Sequence, residues 1–98
     1  MSIKITVSQK DIDEAVQNEW RRNHPCYGPV NIAVCRALNL KMPSAQIDGI
    51  YPGELYWRDN GNGKKEIRIP LPKEVIKTVH AFDAGENISP FEFELNIP

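Results

Sequence analysis

His24, Cys26 and Cys35 fall in one stretch, NHPCYGPVNIAVCRALN, which carries both cysteines and one of the two histidines of the chain. Thiolate and imidazole groups can make a structural zinc centre, but such centres want four ligands, usually drawn from closely spaced pairs. Here the cysteines stand nine residues apart, no CxxC or HxxxH occurs, and the fourth candidate, His80, lies far along the chain. Thiol catalysis is the other chemistry these residues could serve, and it needs a thiolate, a base and a group to orient the base. Cys26 lies just before a helix start, where the helix dipole would lower its pKa. His80 and Asp83 are three apart and so share one side of a helix, which makes Cys26, His80 and Asp83 a triad on paper. The plainer reading is that Cys35 is a small core residue and Cys26 a turn residue. On that reading the protein holds no metal and no cofactor.

DNGNGKK, residues 59–65, could cradle a phosphate or close on calcium. The calcium pattern fails because Gly61 stands where a ligand should be and no glutamate closes the loop. The phosphate pattern fails because a strand, not a helix, follows. A hairpin turn accounts for the stretch, since Asn-Gly pairs supply the positive φ angles such turns need.

Around that turn, Tyr51, Tyr56 and Trp57 cluster with Arg58, Lys64, Lys65 and Arg68. Aromatic and basic side chains on one sheet face can stack and hold single-stranded nucleic acid, with Tyr51, Lys64 and Lys65 as its contacts. The same types anchor protein interfaces, and here Tyr56, Arg58 and Arg68 are the candidates. Alternation turns Leu55 and Trp57 toward the core with Ile67, Ile69 and Leu71, and leaves Glu54, Tyr56 and Arg58 on the outer face near Glu66 and Arg68. Glu54, Asp59 and Glu66 also dilute the positive charge. A second surface is acidic: Glu92 and Glu94 share a strand face, with Asp83 and Glu86 nearby in sequence. Such a row can engage a basic partner, or simply solvate a sheet face and blunt its edge.

These residues need elements to position them. Ile3, Ile5 and Val7 alternate with Lys4 and Thr6, which predicts a strand with one buried face. Ser8, three before Asp11, opens a helix read as 9–22, with Ile12, Ala15, Val16 and Trp20 along its apolar stripe. His24-Pro25 stops it. Gly28-Pro29 starts a second helix, nearly apolar all round, whose stripe is Val30, Ala33, Val34, Ala37 and Leu38, with Arg36 as the exception. Strands are expected over 46–51, 54–58 and 65–71, a third helix from Pro72 with Val75, Ile76, Val79 and Phe82 inward, a stop at Gly85, and a last strand bearing Phe91, Phe93 and Leu95. The order is strand, helix, helix, three strands, helix, strand. It predicts one small α+β domain over residues 1–98, with three helices and an antiparallel or mixed sheet of about five strands.

Composition bounds the function. The 98 residues are 41% hydrophobic and 26% charged, with a formal net charge of −1. That suits a folded globular chain and argues against a general nucleic-acid binder, while leaving room for a local patch. No apolar run approaches a membrane span, and the N-terminus turns polar too early for a secretory signal, so the expected location is the cytoplasm and the expected cysteines are reduced.

Taken together, Val7-Ser8-Gln9 with Ile12-Asp13, Leu71-Pro72 with Val75, Phe82-Asp83 with Gly85, and Pro90-Phe91 with Phe93 form a frame. It resembles that of small phage and prophage-type bacterial proteins, V-[ST]-Q-x-x-I-D, L-P-x-x-V, F-D-x-G and P-F-x-F. That frame also sets a cysteine directly before the proline that starts an alanine-rich helix, and the chain departs from it where Tyr27-Gly28 separates Cys26 from Pro29. The resemblance implies a phage-type context and no particular activity. The expectation is a non-enzymatic interaction module that docks on a host protein, such as a defence or transcription component. A homo-oligomer is left open by the spare apolar face of the second helix. The alternatives are a nucleic-acid binder and a thiol or metal protein.

Overall fold

A computed structural model describes residues 1–17, 26–59 and 65–97. The elements run β1 (Ser2–Val7), α1 (Gln9–Gln17), α2 (Pro29–Leu38), β2 (Ala45–Ile47), β3 (Glu54–Asp59), β4 (Lys65–Pro70), α3 (Lys73–Asp83) and β5 (Phe91–Asn96). This is the expected α+β order of three helices and five strands. Among the described residues all strand pairings are antiparallel, and the strands divide into two sheets, β1-β5 and β2-β3-β4. Alternation explains both. Ile5, Val7 and Leu95 are buried from one sheet, and Ala45, Ile47, Leu55, Trp57 and Ile69 from the other; they join Ile12, Val30, Val34 and Val75 of the helices in one core.

Local chemistry sets the helix starts. Ser8 Oγ accepts the Asp11 N–H at 3.2 Å, and Asp11 Oδ2 accepts the Ser8 N–H at 3.0 Å, a reciprocal cap on α1. The Asp11 carboxylate is buried and also takes both guanidinium nitrogens of Arg36, at 2.6 and 2.8 Å. Arg36 donates in addition to the Thr6 carbonyl at 3.1 Å. The one charge on the apolar α2 thus ties β1, α1 and α2 together. Asn31, also buried, accepts the Gly28 N–H at 3.2 Å and donates to the Ala45 carbonyl at 3.0 Å, joining the start of α2 to β2.

Several sequence expectations are corrected. Ala37 and Val16 lie exposed instead of lining the core, whereas Cys35 is buried as a small core residue, as expected. The strand expected over 46–51 ends at Ile47. Asp48 adopts left-handed backbone, φ 54°, and its Oδ1 accepts the Gly53 N–H at 2.6 Å, turning the chain out of the sheet. Ile50 consequently stands exposed at the tip of this turn. The expected end of the first helix, with Trp20, Arg21 and Arg22, lies outside the described residues.

Candidate functional site

The sequence placed Glu54, Tyr56, Arg58, Glu66 and Arg68 on the outer face of a hairpin, and they are there. The register opposes Tyr56 to Arg68 and Arg58 to Glu66, with Leu55 opposite Ile69 on the buried side. Arg68 makes a two-pronged pair with Glu54, Nε to Oε1 at 3.0 Å and Nη2 to Oε2 at 2.9 Å. Its guanidinium carbon lies 3.7 Å from the centre of the Tyr51 ring. The Tyr51 and Tyr56 rings are 5.1 Å apart, tilted by 57°. Glu66 Oε1 accepts from Arg58 at 3.0 Å and from the Tyr56 hydroxyl at 3.3 Å. These bonds hold the Glu54 carboxyl below its usual range and the Arg58 and Arg68 guanidinium groups above theirs. Four charges and two rings therefore form one pre-ordered face whose cations already have partners. Trp57 points into the core, as the alternation requires. Lys65 is exposed at the start of β4, and Lys64 lies outside the described residues.

Glu92 and Glu94 lie on one face of β5, but β1 answers them. Ser2 Oγ donates to Glu94 at 2.6 Å, Thr6 Oγ1 to Glu92 at 3.4 Å, and Lys4 Nζ sits 3.8 Å from Glu92. The acidic row is thus a mixed cross-strand ladder.

The thiol and metal candidates meet a different geometry. His24 lies outside the described residues. Among the described residues no group of three His, Cys, Asp or Glu side chains is placed to hold a metal ion. His80 lies on α3 with its Nε2 2.7 Å from Asp48 Oδ2, so the carboxylate that orients it is Asp48, which sequence reasoning missed. The His80 contact, helped by the Gly53 N–H, keeps the Asp48 carboxyl below its ordinary pKa. Spacing could not find this partner, because Asp48 is 32 residues away and acts from a left-handed turn residue. Asp83 instead lines a recess of about 20 Å³ with Gly28, Asn31, Val79 and Phe82. That volume suits one water-sized molecule.

Neither cysteine is joined in a disulfide. Burial pushes each of them above the ordinary value, against the lowering expected for Cys26 from the helix start. In Cys35 a bond with the Ala45 backbone only partly offsets the burial. Fewer thiolates at neutral pH mean slower chemistry. A disulfide probe is expected to label both cysteines of the native protein more slowly than a free cysteine at neutral pH, with the rate climbing as pH rises. Labelling faster than the free thiol would instead mark an activated nucleophile.

No protein-family model matches the chain, and no curated protein or solved structure matches it either. No helix among the described residues is long and apolar enough to cross a membrane.

Proposed function

We propose that the protein is a small non-catalytic interaction module that docks on a protein partner through the outer face of β2-β3-β4. The observation that carries this reading is the Tyr51–Arg68–Glu54 stack beside the Tyr56–Glu66–Arg58 cluster, with exposed Arg58, Glu66 and Arg68 over half-buried rings, on a sheet whose other face is core. Tyr and Arg dominate the few residues that carry binding energy in protein interfaces, most effectively when they are pre-ordered. A phosphate-binding face draws its affinity from cations that neutralise phosphates. Here each guanidinium already holds a carboxylate, which favours a protein over a nucleic acid. The phage-type frame points to a host defence or transcription component as the partner.

The test is affinity capture from bacterial lysate on the immobilised full chain, with captured proteins quantified for wild type, Tyr56→Ser/Arg68→Ser and Glu92→Lys/Glu94→Lys. Loss of an interface anchor costs at least about 2 kcal/mol, close to thirtyfold in affinity. One protein should be enriched by wild type, retained by the acidic-strand variant and lost by the sheet-face variant. Equal capture by all three chains, or capture abolished by nuclease, overturns the reading.

A further inference from the structure

We propose that the free edge of β4 pairs with β4 of a second copy of this chain, antiparallel and centred on Ile67. This goes beyond the partner-binding reading and does not depend on it. Among the described residues, β4 has β3 on one side and no hydrogen-bonded strand on the other. Which backbone groups it offers follows from the ladder. The Leu71 N–H donates to the Gly53 carbonyl at 3.0 Å, in the same register that pairs Leu55 with Ile69 and Trp57 with Ile67. In an antiparallel ladder, alternate residues turn both their N–H and C=O toward the same neighbour. Ile67 and Ile69 therefore turn theirs toward β3, and Glu66, Arg68 and Pro70 turn theirs outward. Pro70 fits this assignment, since a residue with no N–H is tolerated where the donor would face away from the ladder.

An added antiparallel copy of β4 must match outward groups to outward groups. Three registers near the middle of the strand do so. Centring on Glu66 sets Glu66 against Glu66 of the other copy. Centring on Arg68 sets Arg68 against Arg68, and also puts Pro70, which cannot donate, opposite Glu66. Centring on Ile67 puts Glu66 opposite Arg68 twice, once on each side of the two-fold axis, with backbone donors and acceptors on every one of those residues. Directly opposed charges of opposite sign stabilise a strand pair, and like charges destabilise it. On the outer face the ion-paired row Arg58–Glu66 and Arg68–Glu54 would then run unbroken from one copy into the other. On the inner face Ile67, only half-buried in the single chain, would meet its counterpart on the axis. Arg68, Ile69 and Pro70 border a cleft of about 390 Å³ whose other wall is Asn96 and Ile97, so the added strand must run past the end of β5. The pairing is isologous, so it closes at two copies.

The experiment is sedimentation velocity on the full chain over a concentration series, for wild type, Glu66→Arg, Arg68→Glu, and an equimolar mixture of the two variants. Wild type should show a monomer–dimer equilibrium. Each variant alone should be monomeric, because Glu66→Arg sets Arg against Arg and Arg68→Glu sets Glu against Glu. Their mixture should recover the dimer, since each position then faces its opposite, and that recovery also shows that both variants fold. A monomeric wild type, a dimer that persists in either variant alone, or a mixture that stays monomeric each overturns the proposal.

Discussion

Arg36→Met should lower stability by about 3 kcal/mol, the low end of what stranding one member of a buried ion pair costs. That is a large share of a fold worth about 5–15 kcal/mol. The asymmetry of the pair sets the size. The Arg36 side chain is 56% exposed and that of Asp11 only 3%. Without Arg36, a carboxylate that cannot reach water loses both charged donors and keeps only the Ser8 groups. Asp11→Asn, by contrast, leaves a guanidinium that solvent can satisfy and an amide oxygen that can still accept the Ser8 N–H. It should cost about 1 kcal/mol, in the range of a weakened cap.

Acid gives a second check. In the wild type the Arg36 bond, supported by Ser8, holds Asp11 below its ordinary value of 3.8 against the opposing effect of burial. A carboxyl with a lowered folded-state pKa contributes stability that is present above the unfolded value and lost as pH falls through the folded one. In Arg36→Met the largest lowering cause is gone and only the Ser8 bonds oppose burial, so the carboxyl rises from its wild-type position and contributes less stability at neutral pH. The gap between the two proteins should be widest at neutral pH and narrow as pH falls below the ordinary carboxylate range, through the lowered wild-type value. Urea unfolding at several pH values measures this. Equal losses for Arg36→Met and Asp11→Asn would mean the pair is not acting as a buried charge.

Leu55→Ala should cost about 3 kcal/mol, within the range for truncating a fully buried leucine. Leu55 is completely buried in the central strand of its sheet, between Ile47 and Ile69. The informative comparison is its neighbour. Tyr56→Ser removes a larger but only half-buried side chain from the outer face and should cost about 1 kcal/mol, well below the core truncation. Two adjacent residues would then separate the two sides of the strand, one holding the fold and one left for binding. A loss at Tyr56 that rivals the loss at Leu55 would show the outer face to be a structural layer, and would sink its role as a docking surface. Denaturant midpoints of the two variants decide the matter.

Which features were legible in the sequence follows from how local they are. The strand of Ile3, Ile5 and Val7, the Ser8–Asp11 cap, the Pro29 start and both faces of the hairpin each depend on residues within a few positions of one another. Alternation alone assigned Leu55 and Trp57 inward and Tyr56 and Arg58 outward. The misses are non-local. Arg36 stood out as the one charge on an apolar helix, yet its partner Asp11 is 25 residues away, on the side of α1 that a polar residue should avoid. Nothing in the His80 to Asp83 spacing reveals Asp48. Asn31 is buried because its side chain can serve Gly28 and Ala45 together, and that requires knowing that β2 returns to the start of α2. Periodicity placed Ala37 inward, but α2 presents its Arg36–Ala37 side to solvent.

The pairing of β1 with β5 bears on how the chain reaches this structure. Ser2 bonds to Glu94, 92 residues later, and Thr6 to Glu92, 86 residues later. During synthesis the first strand emerges long before β5, its hydrogen-bonded neighbour among the described residues. Its apolar side can collapse onto α1 and α2, but its ladder must wait for nearly the whole chain. Joining ends so far apart carries the largest loop-closure cost in the molecule and places the fold toward the slow end for its size. A fragment stopping short of Phe91 would leave Ile3, Ile5 and Val7 on a strand with both edges open, a template for pairing with other chains.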